Sequence, residues 1–84
     1  MTNFKNDPII KSIVSKYSMS ANPSRGYHDM VCLVIFKSGV GEQDQIAKME
    51  EIRDEYAKEN QWCRAVRKMN VDTWSFGWGW DSSG

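Results

Sequence analysis

The sequence has no excess charge of either sign, little cysteine and proline, and no long apolar run. Eleven basic residues balance eleven acidic ones among 84, which argues against a protein that coats nucleic acid through a uniform positive field. The longest apolar run, Met30 to Phe36, is far shorter than the roughly 20 residues of a membrane span. The amino terminus, MTNFKNDP, has no signal-peptide features. We therefore expect a cytoplasmic protein that does not span a membrane.

Two cysteines and one histidine limit the chemistry that the chain can carry. Cys32 and Cys63 are too few for a disulfide scaffold, although a pair between neighbouring strands is the alternative to free thiols. Together with His28 they lack the short paired spacing that a structural zinc site requires. We expect no metal, no cofactor and no catalytic residue.

Eighty-four residues suffice for one small domain. Residues 1–6 show no pattern and predict a flexible lead, and residues 81–84 predict a polar tail. Asp7-Pro8 is typical of a helix start. The apolar residues that follow lie at helical spacing, but their β-branched content also fits a strand. The pattern favours a short helix over about 8–18, with a strand as the alternative.

Three further patterns predict the rest of the fold. The continuous apolar run Met30 to Phe36 predicts a central strand that is covered on both faces. A helical stripe predicts a long amphipathic helix over 42–59, built on Ile46, Met49, Ile52 and Tyr56. From Trp62 onward the period is two, which predicts strands at about 63–69 and 72–79, or one long bulged strand. The expected fold is α+β, with a small, mostly antiparallel sheet of three to four strands and the long helix packed on one face.

The chain ends in an unusual aromatic segment. Four large rings alternate with Ser75, Gly77 and Gly79; the rings are Trp74, Phe76, Trp78 and Trp80. A small domain buries four rings with difficulty, so three alternatives stay open: core packing, a protein interface, or a stacking platform for sugars or bases. Glycines between the rings would let another backbone or a flat ligand approach closely.

These patterns favour a small non-catalytic binding protein that acts through a protein–protein interface on its aromatic C-terminal strand. The expected partner-binding residues are Trp74, Phe76, Trp78, Trp80, Arg64 and Arg67. Proteins of this kind include inhibitors and modulators of larger enzymes, such as those that phages make, and they often carry no sequence motif. The partner is expected to be another protein or a second copy, joined through the C-terminal strand.

Two other functions remain as alternatives. A single-stranded nucleic-acid-binding module would use the same aromatic residues together with Arg25, Arg64, Arg67 and Lys68. An enzyme whose site is completed only in an oligomer is the third hypothesis. The glycine turn Lys37 to Gly41 does not favour a nucleotide site, because Glu42 and Asp44 place negative charge where a phosphate would lie.

Overall fold

A computed structural model describes residues 4–82 and has an α+β fold with one helix on a five-stranded sheet. The strands are β1 (Ile10–Tyr17), β2 (Tyr27–Phe36), β3 (Trp62–Cys63), β4 (Arg67–Asn70) and β5 (Thr73–Asp81). Helix α1 (Glu42–Glu59) connects β2 to β3. Two short 3-10 turns, Phe4–Asn6 and Pro23–Arg25, complete the described elements. The predicted fold class is confirmed, and the helix has the predicted bounds. The sheet has five strands instead of the expected three to four, because residues 10–17 add a strand and the segment 62–70 pairs with β5 in two pieces.

The order of strands in the sheet is β1-β2-β5-β3, and β4 pairs with β5 on the same side as β3. All neighbours are antiparallel. The strands β2 and β3 therefore run in the same direction, but β5 lies between them and they are not neighbours. Segment 62–70 is an edge strand in two pieces that pairs antiparallel with β5, so two separate strands form as predicted and the alternative of one long bulged strand is wrong.

The hydrophobic core lies between α1 and one face of the sheet. Met49 and Ile52 of α1 are fully buried against Cys32, Val34 and Phe36 of β2. Gln45 is also buried: its Nε2 donates to the Val40 carbonyl oxygen at 3.0 Å. No helix among the described residues has the length and apolar character needed to cross a lipid bilayer.

The predicted helix over about 8–18 is wrong, and its strand alternative is correct. Residues 10–17 form β1, which pairs with β2 and has a register shift between Ile10 and Ser12. The β-branched residues suit this position because the strand buries Ile10 and Ile13 on the core. Apolar spacing alone could not separate the two structures over so few residues.

The predicted flexible lead is also corrected where the structure describes it. Phe4 is only 4% exposed and belongs to the core, and the Asp7 carboxylate lies 2.8 Å from Lys48 Nζ on α1. At the other end, Asp81 is part of β5, and Ser82 N donates to the Gly26 carbonyl oxygen at 2.9 Å. The rest of the predicted lead and tail, residues 1–3 and 83–84, lies outside the described residues.

The prediction that β2 is covered on both faces is wrong for one face. Cys32, Val34 and Phe36 are buried under α1, whereas Val31, Leu33 and Ile35 are partly exposed. Between residues 4 and 82 only one α-helix is present, and it packs on the first of these faces. The apolar run of β2 is therefore longer than the core of this monomer requires.

Candidate binding face

Cross-strand pairing assigns each strand residue to one of two sheet faces, because directly opposed residues point to the same side. Facing α1, Cys32 lies opposite Phe76 and Val34 lies opposite Trp74. On the other side, Val31 lies opposite Gly77 and Leu33 lies opposite Ser75. We call this second side, turned away from α1, the open face.

Two of the rings expected to bind a partner lie in the core. Trp74 is 6% exposed and Phe76 is 1% exposed. The Trp74 indole Nε1 donates to Gln45 Oε1 at 2.8 Å, which satisfies both buried polar groups. In this conformation neither ring offers surface to a partner.

The other two rings extend the core toward the end of the sheet. Trp78 packs partly buried against the core, with the Tyr56 ring edge-on at 5.0 Å between centroids. Trp80 stacks on His28 at 4.4 Å and lines an open groove of about 580 Å³ beside the last residues of α1. Both edges of β5 have hydrogen-bonded neighbours, so a second copy would need a different edge for strand pairing.

The glycines of β5 make room for side chains of the same chain. A Cβ on Gly79 would collide with the His28 carbonyl oxygen and would lie 2.8 Å from the Trp62 ring. A Cβ on Gly77 would lie 3.0 Å from Arg64 Nη1. The close approach expected at these positions is therefore made by Trp62 and Arg64 on the open face.

A buried carboxylate holds Arg64 in place. Asp29 is 6% exposed, and its Oδ1 accepts a hydrogen bond from Arg64 Nη1 at 2.9 Å. Its Oδ2 accepts hydrogen bonds from the hydroxyls of Ser18 and Ser20. Burial alone would raise the pKa of Asp29, but the hydrogen bonds and the Arg64 charge lower it to about 2. The network ties the β1–β2 loop to the segment between β3 and β4.

The open face carries an apolar row that the sequence prediction assigned to the core. Val14 of β1 is 50% exposed and lies opposite Leu33, with Val31 and Ile35 at the next positions of β2 on the same side. In the sequence, the only indication of this row was that every second residue of the Met30 to Phe36 run, on the side of Val31, is apolar as well. This pattern could not show that only one face receives a helix.

The structure separates the basic residues that the sequence grouped. Arg67 is exposed, lies opposite Ser75 on the open face, and makes no hydrogen bond or ion pair with another described residue. Lys68 lies on the α1 side, 3.1 Å from Glu42, with its Nζ 6.0 Å from the centre of the Trp74 ring. Arg25 is exposed in the turn before β2. Only Arg64 and Arg67 of this group come together.

Neither cysteine has the environment of a nucleophile. Both are free thiols. Cys32 is fully buried, and burial raises its pKa to about 11. Burial also raises the pKa of Cys63, whose Sγ lies 3.6 Å from the Arg53 carbonyl oxygen. No group of three His, Cys, Asp or Glu side chains that could hold a metal ion occurs in the described chain.

Comparisons of the chain with protein-family models, with curated proteins and with solved structures find no match in any of the three.

Proposed function

We propose that this chain is a small, non-catalytic binding protein that docks a partner protein on its open face. The observation that carries the proposal is the placement of Val31, Leu33 and Ile35 by β2 on a side that no helix in residues 4–82 covers. Val14 extends the row onto β1. A contiguous apolar row on a sheet surface supplies the contact area that protein interfaces use.

Charge indicates the chemistry of the partner. Lys16 lies opposite Val31 at one side of the row, and Arg64 and Arg67 lie at the other. The helix behind the sheet is acidic, with seven carboxylates against three cations in 42–59. A partner segment that combines apolar side chains with carboxylates complements the open face and is repelled by α1.

The same docking accounts for the wider role we propose. A protein of this size that occupies a surface of a larger enzyme would inhibit or modulate it without catalysis of its own. Two free thiols support a cytoplasmic location as part of the proposal. The aromatic residues of β5 support the sheet from the α1 side, and partly exposed Trp80 remains a candidate contact at its end.

Site-specific photo-crosslinking in the cells that naturally make this chain tests this proposal. A benzophenone amino acid replaces the exposed residue at position 14 on the open face or at position 47 on α1. We expect a discrete adduct with another protein from position 14 and none from position 47. Leu33→Asp should abolish that adduct because it places a charge in the apolar row.

Ala47→Asp is the matched control, because it introduces the same side chain at an exposed position of α1. It should leave the adduct unchanged. Circular dichroism of each variant confirms that the fold is retained. Equal adducts from both positions, or adducts that contain only a second copy of this chain, would overturn the proposal.

Single-stranded nucleic-acid binding is the second candidate, and one observation favours it. Tyr27 and Trp62 stack at 5.5 Å on the open face, and the Arg64 guanidinium lies 6.0 Å from the Trp62 ring centre. Rings beside arginine are typical of single-strand platforms. Fluorescence anisotropy with labelled oligothymidylate should then show binding that weakens steeply with salt. No binding at low salt would remove this candidate.

A further inference from the structure

We propose that the pocket between Arg64 and Arg67 on the open face receives a carboxylate side chain of the partner. This inference rests on the proposed function, since it names the chemistry by which the open face selects its partner. The pocket has a volume of about 220 Å³, and Val31, Ser75 and Gly77 contribute to its lining. It opens beside the apolar row.

Arg64 is positioned before any partner arrives. Its side chain crosses Gly77, where a Cβ would lie 3.4 Å from its Cδ, and Nη1 donates to Asp29 at 2.9 Å. An arginine has five N–H donors in a fixed fork, so donors remain for a second acceptor. Because Asp29 neutralises one charge and Arg67 is unpaired with the described residues, the pocket keeps one net positive charge.

Ser75 supplies a third donor. The residue is 7% exposed and lines the pocket, yet its hydroxyl makes no hydrogen bond with another described residue. Its register places it between Leu33 on one side and Arg67 on the other. A carboxylate in the pocket would accept charge-assisted hydrogen bonds from both arginines and one from the hydroxyl.

The size and lining favour a carboxylate side chain over a nucleotide. The volume lies below the roughly 300–1,000 Å³ of typical small-molecule sites. The partly buried rings of Tyr27 and Trp62 do not line the pocket, so a base attached to a bound phosphate would find no stacking surface there. An acidic side chain next to an apolar one fits both the pocket and the neighbouring row.

NMR titration with two short peptides tests the inference without the partner. The probes are acetyl-Leu-Glu-Leu-amide and its isosteric control acetyl-Leu-Gln-Leu-amide, each added to the full chain labelled with ¹⁵N. We expect the glutamate peptide to shift the Nε–Hε signals of Arg64 and Arg67 and the amide signal of Ser75. The glutamine peptide should bind about ten-fold or more weakly, because it lacks the charge.

Arg67→Gln should remove the preference for glutamate, and Arg25→Gln, an exposed arginine outside the pocket, is the matched control. Equal affinity for the two peptides would overturn the inference, as would tighter binding of inorganic phosphate or oligothymidylate at the same signals. If the position-14 adduct forms but Arg67→Gln leaves it unchanged, the carboxylate pocket is wrong and the proposed function stands. If the peptide preference is observed but no adduct forms, the pocket binds carboxylates, but the proposed function and the assignment of that carboxylate to a partner protein are wrong.

Discussion

The two faces of β5 carry different kinds of side chain. Toward α1 the strand presents Trp74, Phe76, Trp78 and Trp80, and the first two are fully packed in the core. Toward the open face it presents Ser75, Gly77 and Gly79, and the side chains of Arg64 and Trp62 approach Gly77 and Gly79, respectively. The face toward α1 is therefore stabilised by buried rings. The open face of β5 buries no large side chain of its own and instead positions Arg64.

β2 shows the same division with a different composition. Both of its faces are apolar, but only one receives a helix. Burial of Cys32, Val34 and Phe36 stabilises the monomer, while Val31, Leu33 and Ile35 retain apolar surface in contact with water. The difference between the faces distinguishes the residues that stabilise the fold from those that are available to the proposed partner.

The largest effect is expected from Phe76→Ala on the covered face. The ring is 1% exposed and meets Tyr56 edge-on at 5.3 Å, so its removal should cost about 3–5 kcal/mol of unfolding free energy. Leu33→Ala on the open face is the comparison and should cost about 1–2 kcal/mol. Urea denaturation of both variants measures the two values. Equal losses would show that the faces do not differ as the burial pattern indicates.

Sequence reasoning was most successful where a pattern was long. Eighteen residues of helical spacing defined α1 with its correct bounds. The segment 8–18 was too short for its spacing to distinguish a helix from a strand. Its β-branched residues favour the strand in the folded protein, where they pair with β2. Gln45 could not be predicted as buried, because its side-chain oxygen is satisfied by the Trp74 indole, a tertiary contact that no local pattern shows.

The glycines of β5 provide the second comparison. Gly79→Ala should cost about 2–3 kcal/mol, because the new Cβ would collide with the His28 carbonyl oxygen, which is backbone, and with the Trp62 ring. Gly77→Ala should cost less than about 1 kcal/mol, because the contact is with a side chain and Arg64 needs to shift by only a few tenths of an ångström, which its hydrogen bond to Asp29 can follow. Thermal unfolding of the two variants distinguishes them. The reverse order would contradict the packing of Trp62 on the sheet.

The candidate site was harder to predict than the fold. The rings of β5 were expected to bind a partner because their number looked excessive for the core of a small domain, yet α1 and β5 pack Trp74 and Phe76 completely. Arg64 and Arg67 were expected to bind a partner, which stays a prediction, and the structure places both beside one pocket on the open face. Asp29 was missed, since no local pattern shows that residues 18, 20 and 64 converge on it.

The hydrogen-bond network of Asp29 on the open face should make the unfolding free energy depend on pH, whereas the apolar core should not. The pKa of Asp29 is lowered from 3.8 to about 2 in the folded state. The ionised form therefore stabilises the fold above about pH 4, and that contribution, about 2 kcal/mol, is lost as pH falls through about 2. Asp29→Asn should be less stable at pH 7, and the difference from the natural chain should shrink between pH 5 and pH 2. A constant difference in unfolding free energy would exclude this role of Asp29.

The smallest effect is expected where the apolar row is most exposed. Val14→Thr keeps the β-branched shape of a half-exposed residue on edge strand β1, so the unfolding free energy should change by less than about 0.5 kcal/mol. The same variant removes apolar contact area from the β1 side of the proposed docking surface. A normal urea midpoint combined with a weakened adduct from a benzophenone at position 35 would separate binding from stability. A decrease of more than about 1 kcal/mol in the unfolding free energy would instead show that Val14 stabilises the fold and does not belong to the docking surface.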